Sequence, residues 1–452
     1  AQAQAQAQEQ AQAQAQAQAA AAPPPRTPKP VDEATIFGPT HSKALASLVN
    51  QSATADMFFT TSDAKKFVHC HSYIVLARCD SLIPKKLVAQ LSKPSKGKAR
   101  KALQVTPDVS PIPSESVLIA LMTFLYTGEL AVASLTLPDL INLTSLSYTL
   151  HIKYLHWICD IFIRENLSLK NVCEILKLSS ELNLLLVKGY CLEFISRNYT
   201  EFTSNKEGIT FLGIELFQEV VNELHMKDYS QAIPLPPEPP NRVVADYKML
   251  YTNMQCTDAT AIIGSETVKF HRALVGAHSA SLHALLDRSH DNCVTLTPDE
   301  RMKMSVAGLT PDAFKAFLRY VYYEDTNVDV MTSCQLLLFC RSHGISGLLS
   351  RCEEVVKQGL SNSTAVNLLR LCYVPELATM SFVASLKADA ARHTASNLAL
   401  VDLSSVREGD VAIDLLLAYQ ASNRGGGGGV RPTVPTRDSN SSNPSVSMGG
   451  MR

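Results

Sequence analysis

Residues 69–71 read His-Cys-His and form the densest group of side chains that could bind a metal ion. Imidazole and thiolate are common zinc ligands, but a structural zinc site needs four ligands in spaced pairs, and no second pair lies at a suitable distance. None of the eleven cysteines lies in a recognised nucleophile motif, and no glycine-rich loop stands between a strand and a helix to hold a phosphate. The sequence therefore predicts no metal, no cofactor and no enzymatic activity.

A second distinctive segment is basic. Residues 85–101 contain seven lysines and arginines and no acidic residue, so the segment could contact phosphates or direct nuclear import. Pro94, Ser95 and Gly97 interrupt it, and no aromatic side chain is present to stack on bases. A solvated loop insertion is the favoured interpretation. Over the whole chain, 41 basic and 42 acidic residues nearly cancel, so no global field favours nucleic acid or an anionic membrane.

The length of 452 residues predicts two or three domains, at about 150 residues per domain. The cysteines are odd in number and include no Cys-x-x-Cys pair, and no secretory leader is visible. We therefore expect reduced thiols and a cytoplasmic protein, with the nucleus or endomembranes as alternatives. No apolar run is long enough to span a membrane. Residue 1 is alanine, so the sequence is compatible with a fragment that lacks an upstream domain.

Composition marks three segments that lie outside folded domains. Residues 1–37 are rich in Ala, Gln and Pro, and residues 423–452 are rich in Gly and Ser, so both are predicted to be disordered tails. Residues 231–242 contain five prolines and predict a stiff extended linker. This linker divides the folded part into two halves of similar length.

The two halves repeat one another. An aspartate opens a short apolar strand in each, at Asp56 and at Asp258, and a turn and a second strand follow, which predicts a β-hairpin. Residues 70–79 then align with residues 270–279 at an offset of 200. Each of these segments carries a histidine, His71 or His271, before an apolar helix.

Helical patterns repeat as well. An apolar stripe at positions i, i+3, i+4 and i+7 runs through residues 118–125 and recurs through residues 314–321. Thr310 before Pro311 predicts a helix N-cap followed by proline at the first helical position. The helical period continues through Asn198 in the first half, and residues 366–371 and 414–419 are predicted to be helical in the second. The sequence thus predicts an α+β fold in which each half is a small sheet packed with helices, followed by an all-helical segment.

These motifs resemble the BTB (POZ) fold, on the opening aspartate, the histidine before the helix, and the Phe-Leu-Tyr-Thr-Gly of residues 124–128. The helical segments that follow, especially residues 166–198, resemble BACK domains. The tandem order is similar to that of the leucine-zipper-like regulators and, more distantly, of the Rho-related BTB proteins. The resemblance implies a first BTB domain at 38–157, a first BACK domain at 158–230, a second BTB domain at 243–350, and a second BACK-like segment at 351–422.

The resemblance implies a protein–protein interaction adaptor. In such adaptors the BTB domain and adjoining BACK helices bind cullin 3, while another surface captures a client protein for ubiquitination. In the leucine-zipper-like regulators the clients are small GTPases and an upstream Kelch propeller takes part; this sequence contains no Kelch repeat. An adaptor needs no chemical group of its own, because it acts by holding a client lysine near the charged carrier. The alternative is a dimeric scaffold or transcriptional cofactor that has no ligase.

The resemblance also places the cullin contacts on the helix after the histidine, the next loop and the last helix pair of the BTB domain. In the first half Lys85 and Lys86 stand where apolar residues are expected. For Leu282, Leu285 and Leu286, helical spacing does not say which side chains face solvent and which face the core, so ordinary core packing is an equal alternative. For His71 and His271 a structural role is favoured. The predicted partner-binding residues are Leu82, Leu150, Leu282, Leu285, Leu286 and His343.

Duplication offers a further use of the fold. BTB domains commonly pair through their first helix, so two copies in one chain are predicted either to form an internal pseudo-dimer or to exchange partners between chains as a homodimer. The sequence leaves both arrangements open.

Overall fold

A computed structural model describes residues 36–62, 66–91, 102–105, 114–132, 135–227, 229, 232–288, 293–296, 308–398, 400–401 and 409–425. Residues 92–101 of the basic segment and nearly all of both predicted tails lie outside these ranges. The chain divides into two compact units, with the boundary between residues 353 and 354. Each unit is described by itself.

The first copy of the repeat is built on a three-stranded sheet. Strands β1 (Met57–Thr60) and β2 (Phe67–Cys70) form the predicted antiparallel hairpin. Strand β3 (Leu103–Val105) pairs in parallel with the other edge of β1. Alternate residues are buried, with Met57 and Phe59 facing the core, as expected for a sheet with one solvent-exposed face. Strand β3 was not predicted, because three residues are too few to show a period of two.

Helices cover one face of this sheet. Residues 85 and 86 open a helix, so the predicted loop insertion is wrong there; the apolar Leu87 and buried Leu91 give that segment an inward side. The long helix over residues 115–127 begins at Ser114, whose hydroxyl accepts from the amide of Val117, and it ends at Gly128 in the left-handed conformation. The helices of the first copy are α1 (Pro39–Ala46), α2 (Ser72–Arg78), α3 (Lys85–Leu91) and α4 (Glu115–Thr127).

An all-helical segment follows the first copy. The predicted helical period through Asn198 is confirmed, because the helix at residues 185–197 ends there. Neighbouring helices of this segment pack against one another through buried leucine, isoleucine and cysteine side chains. The helices are α5 (Leu137–Thr149), α6 (Lys153–Glu165), α7 (Val172–Glu181), α8 (Leu185–Arg197), α9 (Tyr199–Ser204), α10 (Lys206–Leu212) and α11 (Ile214–Met226).

The linker reaches the second copy along a fixed path. Residues 232–242 form neither helix nor strand, as predicted for an extended segment. The indole Nε1 of Trp157 donates to the carbonyl of Pro236 at 3.0 Å, and the amide of Ile233 donates to Oε2 of Glu193 at 2.9 Å. Both anchoring side chains belong to the helical segment, so the linker is docked onto it.

The second copy repeats the architecture of the first. Its sheet has the same strand order, with the third strand again parallel to the first and added to an antiparallel hairpin. Thr310 is the predicted N-cap, since its hydroxyl accepts from the amide of Ala313, and Pro311 follows at the first helical position. The elements are α12 (Val243–Asn253), β4 (Ala259–Ile263), β5 (Glu266–Phe270), α13 (Arg272–His278), α14 (Ala280–Arg288), β6 (Cys293–Thr295) and α15 (Pro311–Tyr323).

Further helices complete the chain. Helix α16 (Val330–Ser342) and helix α17 (Ser346–Gln358) follow the second copy. The smaller unit contains α18 (Ala365–Leu371), α19 (Val383–Ser396) and α20 (Gly409–Gly425), so helices are confirmed at both predicted positions. These three helices pack in sequence order. In the described part of the chain, no helix combines the length and the apolar content that crossing a bilayer requires.

Candidate interaction interface

The repeated aspartate has a structural task in both copies. Oδ1 of Asp56 accepts from the amide of Ser72 at 2.7 Å, and Oδ1 of Asp258 accepts from the amide of Arg272 at 2.7 Å. These amides open helices α2 and α13, where the first turn lacks intrahelical acceptors. The aspartate that begins the hairpin therefore fixes the start of the helix that follows it.

His271 is held in one protonation state. Its Nε2 lies 2.7 Å from the carbonyl oxygen of Gln255, and its Nδ1 lies 2.6 Å from the hydroxyl of Tyr322. Because a carbonyl only accepts, we assign the proton to Nε2, which leaves Nδ1 to accept from Tyr322. Burial lowers the pKa of His271 to about 4, which agrees with a neutral ring.

His71 has an equivalent environment in the first copy. Both its backbone amide and its Nδ1 lie 2.8 Å from the hydroxyl of Tyr126, and its Nε2 lies 3.0 Å from Oγ1 of Thr54. Burial, together with the nearby His271, lowers the pKa of His71 to about 3. Each histidine thus joins the end of a hairpin to a tyrosine of the long helix, which supports the structural role favoured for both.

The two copies pair with each other inside the larger unit. Helix α12 packs on α2 and helix α1 packs on α13, so each copy's first helix contacts the other copy. Tyr73 stacks on His271, and the hydroxyl of Tyr247 donates to the carbonyl of Tyr126 at 3.0 Å. The chain thus forms the internal pair, one of the two predicted arrangements.

The start of each first helix meets the end of the other copy's long helix. The amide of Gly38 donates to Oε2 of Glu324 at 2.6 Å, and Nδ2 of Asn241 donates to the carbonyl of Gly128 at 3.0 Å. Glu324 and Gly128 are the C-caps of α15 and α4, and both have left-handed backbones, with φ of 57° and 76°. The internal pair therefore has approximate twofold symmetry.

Two polar contacts occupy positions that the approximate twofold symmetry relates, but one is an ion pair and the other joins two histidines. Nη1 of Arg78 lies 2.6 Å from Oδ2 of Asp246, and these side chains are only 5% and 12% exposed. At the related position Nε2 of His278 lies 3.0 Å from Nδ1 of His41. Burial lowers the pKa of both histidines, so this second contact is a neutral one.

The predicted partner-binding residues do not form one exposed patch. Four of the six are core residues, with side chains that do not reach solvent: Leu82, Leu150, Leu282 and Leu286. Leu282 and Leu286 are one helical turn apart on the inner side of α14, whereas Leu285 lies on the outer side and is 40% exposed. The core alternative therefore describes Leu282 and Leu286, and Leu82 and Leu150 are buried as well.

The remaining two residues lie on one surface. Nδ1 of His343 lies 2.8 Å from the hydroxyl of Ser281, and its carbonyl accepts from the hydroxyl of Ser279 at 2.6 Å. These bonds tie the turn between α16 and α17 to the start of α14, which also carries Leu285. We call Ser281, Ala284, Leu285 and His343 the α14 face. The corresponding surface of the first copy carries exposed Lys85 and Lys86.

Metal ligation has no support in the described residues, where no three His, Cys, Asp or Glu side chains are placed to hold an ion. All eleven cysteines lie in the described ranges, where nine of them are buried and none forms a disulfide bond. Burial raises the pKa of Cys70, Cys159 and Cys191, which disfavours the reactive thiolate.

Sequence reasoning missed the contacts that join the two copies. Arg78 and Asp246 are 168 residues apart and belong to different copies, so no local pattern links them. A signal was present in the repeat itself. Arg78 aligns with His278, and His41 aligns with Asp246, so these are positions at which the copies differ in charge.

Residues 247–360 match the family model of the BTB/POZ domain. The chain is similar to "Leucine-zipper-like transcriptional regulator 1" of Homo sapiens and of Pongo abelii, each 22% identical over 350 residues that make up 70% of this chain and 40% of the relative. The Mus musculus protein of the same name is 24% identical over 262 residues, which are 56% of this chain and 30% of the relative. The chain thus spans less than half the length of these relatives.

The family match confirms the predicted BTB domain in the second half of the chain. A BTB domain and a regulator-type relative point to a non-enzymatic adaptor or regulator that binds other proteins. The first copy and the BACK segments lie mostly or wholly outside the match, and their family assignment stays a prediction.

Proposed function

We propose that this chain is an adaptor that recruits a protein client to a cullin 3 RING ubiquitin ligase. The observation that carries the proposal is the coincidence of the BTB match, residues 247–360, with the copy that exposes an apolar side chain on its α14 face. Leu285 projects from a short helix that hydrogen bonds to His343 fix in place. An exposed apolar residue held in a fixed position can be buried against a partner at little cost in conformational entropy.

The second copy is proposed as the cullin-binding one because the first copy differs in charge at the same place. Lys85 is exposed where the second copy exposes Leu285, and Lys86 is exposed where the second copy buries Leu286. Desolvating two lysine ammonium groups against an apolar partner is unfavourable. The first copy is then free for another task, and we propose that it serves, as a second BTB domain, to hold the second copy in position.

The helical segments complete the proposal. Residues 158–230 follow the first copy as a BACK domain follows a BTB domain, and residues 351–422 are proposed as the second BACK-like segment. The client is proposed to be a protein, with a small GTPase as the candidate that the similarity to the leucine-zipper-like regulators suggests. An adaptor of this kind accelerates ubiquitin transfer by proximity alone.

Binding of purified cullin 3 to the purified chain tests the proposal. We expect the wild-type chain to bind, and Leu285→Asp to weaken binding by about tenfold or more, because a carboxylate replaces the apolar anchor. Leu185→Asp is the matched control, since it places the same charge on an exposed leucine of α8. It should bind cullin 3 as the wild type does.

Two results would contradict the proposal. A wild-type chain that does not bind cullin 3 favours the alternative, a scaffold or transcriptional cofactor without a ligase. Equal binding by the Leu285→Asp variant and the wild type removes the α14 face as the contact. Leu286→Asp is unsuitable for this purpose, because Leu286 is buried and the variant would report on folding.

A further inference from the structure

The internal pair relates residues of the two copies by position. When helices α1 and α12 are aligned, His41 corresponds to Asp246. The buried positions also correspond, since residues 41, 42 and 45 are buried in α1 and residues 246, 247 and 250 are buried in α12. Arg78 and His278 end the equivalent helices α2 and α13. The contact of Arg78 with Asp246 is therefore the symmetry counterpart of the contact of His278 with His41.

This correspondence shows what each copy would meet in a pair with itself. Two first copies from two chains would place each Arg78 opposite His41, with no carboxylate at that position. Two second copies would place His278 opposite Asp246 twice. Of the three possible pairs, only the pair of a first copy with a second copy gives Arg78 its carboxylate.

The chemistry of Arg78 makes this difference large. A guanidinium keeps its charge at any pH at which proteins are folded, and Arg78 is nearly fully buried in the pair. Its Nε also donates to the carbonyl of Leu125 at 3.0 Å, which fixes the side chain toward α12. Removing one partner of such a buried ion pair is far more unfavourable than forming the pair is favourable. The more exposed Arg242 also contacts the carboxylate, with its Nη2 3.5 Å from Oδ1 of Asp246.

We propose that Arg78 and Asp246 determine which partner each pairing surface accepts. The surface of the first copy, formed by α1 and α2, takes a second copy that supplies a carboxylate at position 246 and rejects another first copy. The neutral contact of His41 with His278 fills the related position without adding a competing charge. Pairing between the two copies of the chain is thus selected over pairing between identical copies of two chains.

Moving the carboxylate tests this selection. In His41→Asp/Asp246→His, two first copies would satisfy both arginines, while the internal pair would leave Arg78 opposite a histidine. We expect this full-length variant to capture a differently tagged chain of the same variant at least about tenfold more than wild-type chains capture each other. His41→Asp alone is the matched control, because Asp246 remains, and its capture should equal that of the wild type.

A second variant guards against a failure to fold. Arg78→Asp and Asp246→Arg should each lower the melting temperature, and Arg78→Asp/Asp246→Arg in one chain should recover most of the loss without increasing capture. The proposal is overturned if the variant with the moved carboxylate captures no more than the wild type does, or if the double reversal is no more stable than the single reversals.

Discussion

Tyr73 of the first copy lies on His271 of the second, with ring centroids 4.0 Å apart and ring planes inclined by 24°. His271 is itself bonded to Tyr322 of the second copy. The stack therefore connects the buried hydrogen bonds of one copy to a side chain of the other, and its loss should be felt by both.

Replacing Tyr73 separates packing from hydrogen bonding. Among the described residues its hydroxyl has no hydrogen-bond partner, although the side chain is buried. Tyr73→Phe should therefore leave the free energy of unfolding unchanged or slightly raise it, because a buried unpaired hydroxyl is removed. Tyr73→Ala should lower it by about 3–5 kcal/mol through the cavity left beside His271. Denaturant unfolding of both variants measures the difference, and a large loss in Tyr73→Phe would contradict it.

The low pKa of His271 predicts loss of stability in acid. With a pKa of about 4 in the folded chain and about 6.5 when unfolded, the ring binds its proton first in the unfolded chain. The contribution of the neutral ring to the free energy of unfolding is complete above pH 6.5. About 3 kcal/mol of it is lost as the pH falls toward 4. Asp258 opposes part of this, because burial raises its pKa to about 6 and it gains its proton first in the folded chain.

A variant isolates the contribution of the histidine. His271→Gln should be less stable than the wild type at pH 7, because its bonds to Tyr322 and Gln255 are altered. The difference between the two chains should narrow between pH 6.5 and pH 4, since glutamine does not titrate. Denaturant unfolding at a series of pH values measures it, and a constant difference would show that His271 does not titrate as described.

Gly128 is required by both its backbone and its neighbour. Its φ is +76°, and a Cβ there would lie 2.7 Å from Cγ1 of Val243 on the other copy. Gly128→Ala should therefore lower the free energy of unfolding by about 2–4 kcal/mol. Gly264→Ala is the control, with a φ of +64° and open space around the added methyl, and it should lose only about 1–2 kcal/mol. Equal losses would mean that contact with Val243 is relieved without cost.

Adjacent leucines of α14 should respond differently to charge. Leu286→Asp places a carboxylate in the core and should lower the free energy of unfolding by at least about 3 kcal/mol. Leu285→Asp should change it by less than about 1 kcal/mol, because that side chain is 40% exposed. Thermal unfolding of the two variants checks the assignment of inner and outer sides, and a reversed order would refute it.

Local patterns in the sequence predicted the hairpins and the long helices, because alternation and the 3.6-residue period report which side of an element is buried. Thr310 and Pro311 predicted a helix start for a different reason, because a threonine hydroxyl accepts from a first-turn amide and proline lacks the N–H that would be unpaired there. The third strand of each sheet, β3 or β6, was not predicted, since each has three residues and pairs with a strand distant in sequence. The sequence predicts a loop where helix α3 lies, because two lysines begin this segment and proline and glycine follow it closely.

The interface was harder to predict than the fold. Spacing placed Leu282, Leu285 and Leu286 on one helix, but which of them faces solvent depends on what packs against that helix. The pairing of Arg78 with Asp246 depends on how two copies meet, which no single segment encodes. The sequence could predict that two copies would pair. To identify the residues that decide the pairing, the relative positions of the two copies in the structure are needed.

The hydrogen bond from Trp157 to Pro236 affects how the pairing of the two copies depends on protein concentration. It shortens the free length of the linker between the two copies. The copies therefore pair within one molecule, at an effective concentration on the order of millimolar or above. Diluting the protein does not separate them. The internal pair should therefore persist at protein concentrations at which a pair formed by two separate chains dissociates.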